Sequence, residues 1–438
     1  MKQPDLPTPF PPPPADNAPT LADLLREQAA IRPEAPALLL GLRHFSYADL
    51  AAESAARADA LPASGIHCCR GDNESLALNA YAASWKKLPF FPVDRDIAPE
   101  TLVTTSLPAA SALLIASSGS EGQAKVVLHG ARQLHAAATA ANRRLPLAPG
   151  DLWLACMPLC HIGGQSILWR AAVAGAAVMV HPDFKVERLA AALHDHPVTH
   201  LSLVPAMLAR LLEQNCPPPP SLRHVLIGGA ALAPALHARG QAAGWPLHPS
   251  YGMSETAAQI ATWVPGDGPW QAGLVGRPLD GCEIAIGEDG RIRVRSPQLM
   301  LAYLGRSRQA SAIDASGWLT TGDLGRLDAS GRLFVTGRAD DMLISGGRNI
   351  HPLEIEAQLA SCPGVRDIAV TGLPDPVWGD RIVALLVGDA DEAQLLAHAR
   401  RHLPAAALPR HLIRVERLPR NAAGKLSRAD LRALATRR

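Results

Sequence analysis

The apolar patterning of this chain predicts an α/β fold: a large N-terminal layered α/β domain with a β-rich subregion, followed by a small α+β C-terminal domain. Three observations predict it. Short apolar runs alternate with helical patterns from about residue 112 to 250, hairpin signals crowd the stretch after Gly281, and a fresh pattern with its own apolar face begins after Gly337-Arg338. At 438 residues, 48% of them hydrophobic, the chain can bury a large core and should divide into more than one unit. The expected divisions are a proline-rich tail over 1–19, a large domain over 20–338 and a small one over 339–438.

Each element has a local cause. Thr20 is a candidate N-cap for a helix over Leu21 to Ala30. Leu113 to Ala116, Leu152 to Ala155, Ala177 to Val180, His200 to Leu203 and Val225 to Ile227 read as buried strands. Between them Ala131 to Arg143, Gln165 to Ala174, Val186 to His194 and Pro205 to Leu212 suit helices, so a largely parallel sheet is expected, with ligands beyond the carboxyl ends of its strands near Gly119 and Gly252. Asp289-Gly290 and Asp328 to Gly331 read as turns between strands. The last hundred residues give a strand at Met342 to Ile344, a helix opened by Pro352, strands at Asp367 to Thr371 and Ile382 to Val387, then helix, strand and terminal helix.

Composition excludes several classes. Lys plus Arg at 42 against Asp plus Glu at 40 leaves a net charge of +2, too balanced for nucleic acid or an anionic membrane as the main partner. The seven cysteines show no CxxC pair and suggest free thiols in a reducing compartment. Cys156, Cys160 and His161 lie close together, but no fourth ligand of zinc spacing is evident, so buried small hydrophobes are the favoured reading of the two cysteines. Met1 to Asp16 is proline-rich rather than basic and then apolar, and no uncharged apolar run reaches the ~18 residues of a membrane span. A cytoplasmic protein is the expectation.

Residues Ser117, Ser118, Gly119, Ser120, Glu121, Gly122, Gln123, Ala124 and Lys125 follow a strand and combine hydroxyls, glycines and one cation, as a phosphate cradle requires. They do not fit the GxxxxGK[ST] pattern, and alone they read equally well as a solvated glycine turn. Further along come Ser250-Tyr251-Gly252-Met253-Ser254-Glu255-Thr256, Gly322-Asp323, Gly337-Arg338-Ala339-Asp340-Asp341, Gly346-Gly347-Arg348-Asn349-Ile350 and Gly424-Lys425. This ordered set, over roughly residues 20 to 435, resembles the adenylate-forming superfamily of acyl-CoA synthetases, peptide-synthetase adenylation domains and luciferases.

The resemblance implies the adenylate-forming enzyme fold, with a mobile small domain, and two half-reactions in one site. A carboxylate attacks the α-phosphate of ATP and expels pyrophosphate; the acyl-adenylate then passes its acyl group to a thiol, that of CoA. Carboxylate and triphosphate repel each other, so Mg²⁺ and protein cations must offset the charge. By positional matching, Lys425 is the lysine of adenylation, Glu255 the Mg²⁺ ligand and Ser254 the hydroxyl at the α-phosphate. Ser117, Ser118, Gly119, Ser120, Gly122 and Lys125 would cradle phosphates. Gly229, Ala230, Ala231, Ser250, Tyr251 and Gly252 would form the adenine slot, and Asp323 and Arg338 would take the ribose side. Asp340 falls at the family's hinge, and Gly346 and Gly347 at its thiol tunnel.

The acid is addressed by Pro158 to Arg170. An ammonium-pairing aspartate is expected here in amino-acid-activating domains, but Cys160-His161 stands instead. His161-x-x-Gly164-Gln165, followed by Trp169-Arg170, is similar to o-succinylbenzoate–CoA ligases of menaquinone biosynthesis, which implies an aromatic or succinylbenzoate-like acid. The same likeness places His161 among the catalytic groups and His161, Gly164 and Arg170 around the acid. Arg170 reads either as the partner of a second carboxylate or as a structural arginine at a helix end. Glu121, Ala124, Val126 and Arg348 depart from the family pattern. Loading of a phosphopantetheinyl carrier protein and a non-catalytic nucleotide-binding relative are the alternatives, and a homo-oligomer is left open.

Overall fold

Parallel strands form the middle of the largest sheet, in the order Leu247–Met253, His224–Ile227, His200–Leu203, Leu152–Ala155, Ala177–Val180 and Pro36–Leu40. The computed structural model describes residues 18–93, 107–117, 125–304, 312–420 and 426–437. Three of these strands, Leu152–Ala155, Ala177–Val180 and His200–Leu203, are buried at every position, as helices on both faces require. The crossovers are the expected helices: Ile162–Ala174, Val186–Asp195 and Pro205–Glu213, and also Pro234–Ala242. Ile162–Ala174 starts earlier than the pattern suggested and stops at Gly175, whose φ of 69° ends the helix in the left-handed region.

The sheet then changes character. From Ala258–Thr262 the chain adds antiparallel strands in the order Ala258–Thr262, Leu274–Pro278, Leu333–Arg338, Leu319–Leu327, Arg291–Arg295 and Glu283–Ile286, and both expected hairpins form. One expectation fails. The run Leu113 to Ala116, within strand Ser111–Ser117, leaves the main sheet for a second one ordered Ala302–Leu304, Lys125–Gly130, Ser111–Ser117, Phe90–Pro92 and His67–Cys69. It pairs antiparallel with Lys125–Gly130. Only residues 118–124 separate the two strands, too few for a parallel crossover of about a dozen residues.

After Arg338 a third sheet begins, ordered Arg348–Ile350, Leu343–Ser345, Gly379–Gly388 and Val365–Asp375, with His411–Arg414 beside Gly379–Gly388. It carries its own core, including Ile355, Leu359, Val370, Ile382 and Leu395. Arg428, at the start of the last helix Arg428–Thr436, pairs with the buried Glu356 at 2.6 Å and with Asp341 at 3.3 Å. That network ties the terminal helix to the helix Pro352–Leu359 and back to the first residues of the unit. Among the described residues no helix is long and apolar enough to cross a membrane.

Beneath the main sheet lies a ladder of rings. Trp153, His200, His224 and His248 follow one another at centroid separations of 5.1, 4.9 and 5.0 Å across neighbouring strands. His248 Nδ1 lies 3.2 Å from the Trp263 carbonyl, which can only accept, so Nδ1 carries the proton and Nε2 accepts from His224 Nδ1 at 3.1 Å. Protonating His248 Nε2 would set two N–H groups against each other. Burial is the main reason that His200 is pushed down to about 3 and His224, His129 and His237 to about 4. These groups stay neutral when folded, whereas the unfolded chain takes up protons below about 6.5. Stability is therefore complete above about pH 6.5 and lost as pH falls toward 4, a window above that in which carboxylates titrate. Calorimetry should show the melting temperature dropping by several degrees from pH 7 to pH 5; a flat profile would contradict the assignment.

Candidate active site

One side of the candidate site is built on a single strand. Lys125 opens Lys125–Gly130 and pairs across with Ser117, so the ends of the hydroxyl- and glycine-rich segment are held together. Ser118, Gly119, Ser120 and Gly122 lie outside the described residues, as do Glu121 and Ala124. Val126, one of the departures from the family pattern, is fully buried. Further along the strand, His129 Nε2 donates to the Ser254 carbonyl at 2.7 Å; burial lowers this histidine to about 4, so it serves as a neutral donor.

Ser254–Thr256 is a single tight helical turn closing strand Leu247–Met253. Its exit is strained: Ala257 and Ala258 hold φ of 49° and 96°, in the left-handed region that side chains disfavour. The Thr256 hydroxyl donates to the Ala258 carbonyl at 2.7 Å and fixes this bend. Gly252 faces the same bend, and a Cβ there would fall 2.0 Å from the Ala258 oxygen, so no other residue fits. Glu255 accepts at Oε1 from the Tyr303 hydroxyl at 2.8 Å, and the Lys125 ammonium lies 5.7 Å from the centre of the Tyr303 ring.

A second cluster joins two motifs distant in sequence. Tyr251 Oη donates to Asp323 Oδ2 at 2.7 Å, and Arg338 Nη1 donates to Oδ1 at 3.0 Å, because Asp323 and Arg338 face each other in neighbouring strands. Each carboxylate oxygen keeps one more acceptor site, the pair a vicinal diol needs. Burial, and then the Asp323 charge, hold the Tyr251 phenol protonated. Arg338 reaches on to Asp340 at 3.4 Å. Gly229, Ala230 and Ala231 follow the carboxyl end of strand His224–Ile227, whose last carbonyl, Ile227 O, accepts from Ser250 Oγ at 3.0 Å. Small residues thus line the crevice at the ends of adjacent parallel strands.

His161 is the N-cap of Ile162–Ala174. The backbone before it is clamped: Asn73 donates to Met157 O at 3.1 Å and His181 O at 2.8 Å and accepts from Leu159 N at 2.8 Å, while Gln165 donates to Leu159 O at 2.7 Å. A Cβ on Gly164 would sit 2.5 Å from Pro158 O, so this approach also needs glycine. Arg170, on the same helix, is 2% exposed. Its guanidinium carbon lies 5.3 Å from the Trp153 ring centre, and among the described residues it has no ion pair and its Nε no hydrogen bond. Burial alone pulls it down to about 10, so it remains a cation at neutral pH.

Gly346 and Gly347, with φ of 56° and 73°, make the two-residue hairpin between Leu343–Ser345 and Arg348–Ile350. They connect two strands of the third sheet. Arg348 is exposed at the hairpin's far side. Lys425 lies outside the described residues; Arg420 and Leu426, which flank its segment, bridge each other. Tyr303, His129 and Asn73 were not singled out by sequence, since none belongs to a motif and only strand and loop pairing brings them to the site.

The residues fit Mg²⁺ carried in with a triphosphate. Among the described residues no cluster of three His, Cys, Asp or Glu could cage a metal, and Glu255 stands as a lone carboxylate with Oε1 engaged and Oε2 without a hydrogen bond. Mg²⁺ is typically held this way, by one or two carboxylates with phosphate oxygens and water.

The profile of the AMP-binding enzyme family matches residues 69–304, and that of the AMP-binding enzyme C-terminal domain matches 354–425. A 2-succinylbenzoate–CoA ligase of Bacillus pumilus is 37% identical over 334 residues, 74% of this chain and 69% of the relative; that of Bacillus subtilis is 36% identical with the same coverage. The B. subtilis o-succinylbenzoate CoA synthetase (MenE) in complex with the acyl-adenylate OSB-AMP superposes with a TM-score of 0.82 at 29% identity, over 93% of this chain and 97% of that one. Its complex with ATP and magnesium ion gives 0.81 over 93% and 98%, again at 29%. A double mutant bound to the product analogue OSB-NCoA gives 0.66 at 29%, over 93% and 97%. With this match over most of its length, the chain belongs to the AMP-binding enzyme family.

Proposed function

We propose that the chain is an AMP-forming acid–CoA ligase whose acid is an aromatic dicarboxylate of the 2-succinylbenzoate type. The observation that carries the choice of acid is Arg170. A buried guanidinium without a carboxylate costs several kcal/mol, and a second carboxylate on the substrate offsets it with a planar, bidentate match. The relatives named for 2-succinylbenzoate support the same reading.

In the first half-reaction the reacting carboxylate meets the α-phosphorus of ATP. Asp323 takes the ribose diol with its two remaining acceptor sites, Arg338 flanks it, and Tyr251 and Gly229 to Ala231 border the base. Lys125 and the hydroxyl-rich segment meet the outer phosphates, with Ser254 at the α-phosphate and His161 beside the acid. Glu255 would hold Mg²⁺, which supplies charge neutralisation at the phosphates. Lys425 contacts the carboxylate and the α-phosphate. In the second half-reaction the small domain turns about Asp340, withdraws Lys425 and brings Gly346 and Gly347 to the incoming thiol. Closer superposition on the acyl-adenylate complex than on the product-analogue complex supports the view that the chain stands in its adenylating arrangement.

ATP–pyrophosphate exchange over a panel of acids tests the assignment. Exchange should be fastest with 2-succinylbenzoate, and product should appear with CoA rather than with a phosphopantetheinyl carrier protein; no exchange with that acid would remove the proposal. Arg170→Gln should raise KM for the dicarboxylate by about two decades, the worth of a charged pair of ~3 kcal/mol, and leave a monocarboxylic aromatic acid little changed. The free variant should melt no lower than wild type, because an uncompensated charge has been removed; a lower melting temperature with unaltered KM would make Arg170 structural. Lys425→Ala should slow acyl-adenylate formation by about three decades, since one contact at ~4 Å and an effective dielectric near ~20 is of order 4 kcal/mol. Single-turnover formation at the wild-type rate would remove the lysine from the mechanism.

A further inference from the structure

Tyr303 belongs to no motif, yet it links both ends of the phosphate side. It is the middle residue of strand Ala302–Leu304 and pairs antiparallel with Val127, so the strand that begins at Lys125 carries it to the Ser254–Thr256 turn. Its hydroxyl donates to Glu255 Oε1, and its ring lies beneath the Lys125 ammonium. Backbone bonds fix the frame around it: Met300 N donates to Glu255 O at 2.8 Å, and Leu301 N to Leu128 O at 2.8 Å. A carboxylate oxygen can only accept, so the phenol is the donor of this hydrogen bond.

We infer that Tyr303 is a positioning residue for the divalent cation that accompanies ATP, orienting the Glu255 carboxylate through Oε1 so that Oε2 is left to the metal. The inference rests on the reading of Glu255 as the Mg²⁺ ligand. A carboxylate turns easily about its last bond, whereas Mg²⁺ demands near-octahedral geometry. A hydrogen bond to the oxygen not used by the metal removes that freedom, and such outer partners are typically worth about 10–100-fold in metal affinity. The ring serves a separate purpose: its face gives the Lys125 ammonium a favourable seat. Removing the hydroxyl alone should therefore weaken the metal's contribution and spare metal-free nucleotide binding.

Calorimetric titration of ATP into wild type, Tyr303→Phe and Glu255→Gln, in EDTA and at saturating Mg²⁺, separates the outcomes. For Tyr303→Phe the gain in ATP affinity on adding Mg²⁺ should shrink by about tenfold, with affinity in EDTA unchanged. The half-saturating Mg²⁺ in pyrophosphate exchange should rise by a similar factor, and the exchange rate at high Mg²⁺ should return to that of wild type. Wild-type Mg²⁺ dependence in Tyr303→Phe, with that dependence lost in Glu255→Gln, would overturn the inference and leave the metal ligand standing. Equal weakening of Tyr303→Phe in EDTA and in Mg²⁺ would also overturn it. Unaltered Mg²⁺ dependence in Glu255→Gln would remove the metal ligand itself.

Discussion

The arrangement around Ser254 and Glu255 depends on one antiparallel strand, Lys125–Gly130. Its first residue is the cation, its middle pairs with Ala302–Leu304 and so delivers Tyr303, and His129 near its end holds the Ser254 carbonyl. No helix or motif performs this joining; backbone register does. Because side chains alternate along a strand, a slip of one residue would turn His129 away from Ser254 and exchange the core-facing Val127 for its neighbours. The register is secured by packing on both faces: Val126 and Leu128 belong to one apolar cluster and Val127 to another, each at most 1% exposed. Packing thus sets the spacing among Lys125, the strained turn and Glu255.

The site also solves a charge problem that the whole protein does not share. A net charge of +2 offers a polyanion no general attraction, so each anionic group must be met by a local cation. Arg338 is already shared between Asp323 and Asp340, which holds its guanidinium in place while leaving carboxylate sites for hydroxyl donors. Arg170 is the opposite case: deeply buried, beside an aromatic face and without an acid among the described residues. A cation–π contact of this kind offers only about 0.5–2 kcal/mol, less than the desolvation of a full charge, and the shortfall is what a bound carboxylate would supply. A group held ready in that way would be an electrostatic preorganisation that stability alone would not select.

Much of this was legible in the sequence because it is local. Helices announced themselves through Thr20 and Pro352, buried strands through unbroken apolar runs such as Leu152 to Ala155, and hairpins through Asp289-Gly290. Motif positions were legible for the same reason, and Tyr251, Asp323 and Arg338 prove to be hydrogen-bonded to one another. What could not be read was pairing at a distance. Strand Ser111–Ser117 looks like its parallel neighbours but joins another sheet, since its partner is set by the short connection that follows it. Tyr303 stands in no motif until its pairing with Val127 is known, and Asn73 is a helix residue until its bonds to Met157, Leu159 and His181, on two separate segments 84 to 108 positions away, appear.

The junction between the two units shows how one residue step can separate two rigid frames. Asp340 and Asp341 are neighbours with carboxylates committed in opposite directions: Asp340 to Arg338, which ends a strand of the main sheet, and Asp341 to Arg428, which opens the terminal helix of the small unit. The Arg428 side is the firmer of the two, because Glu356 is buried and also accepts from Val370 N at 2.8 Å, whereas Arg338 and Asp340 are 41% and 52% exposed. A half-exposed pair is worth about 0–1 kcal/mol and breaks readily, while a buried, multiply bonded one does not. Rotation between the units would therefore divide the chain at Asp340, with Asp341 moving as part of the body that carries Arg428. The Arg428 network makes the small unit rigid within itself, while the exposed Arg338–Asp340 pair is the weak point of its attachment, the arrangement a hinge at Asp340 would need.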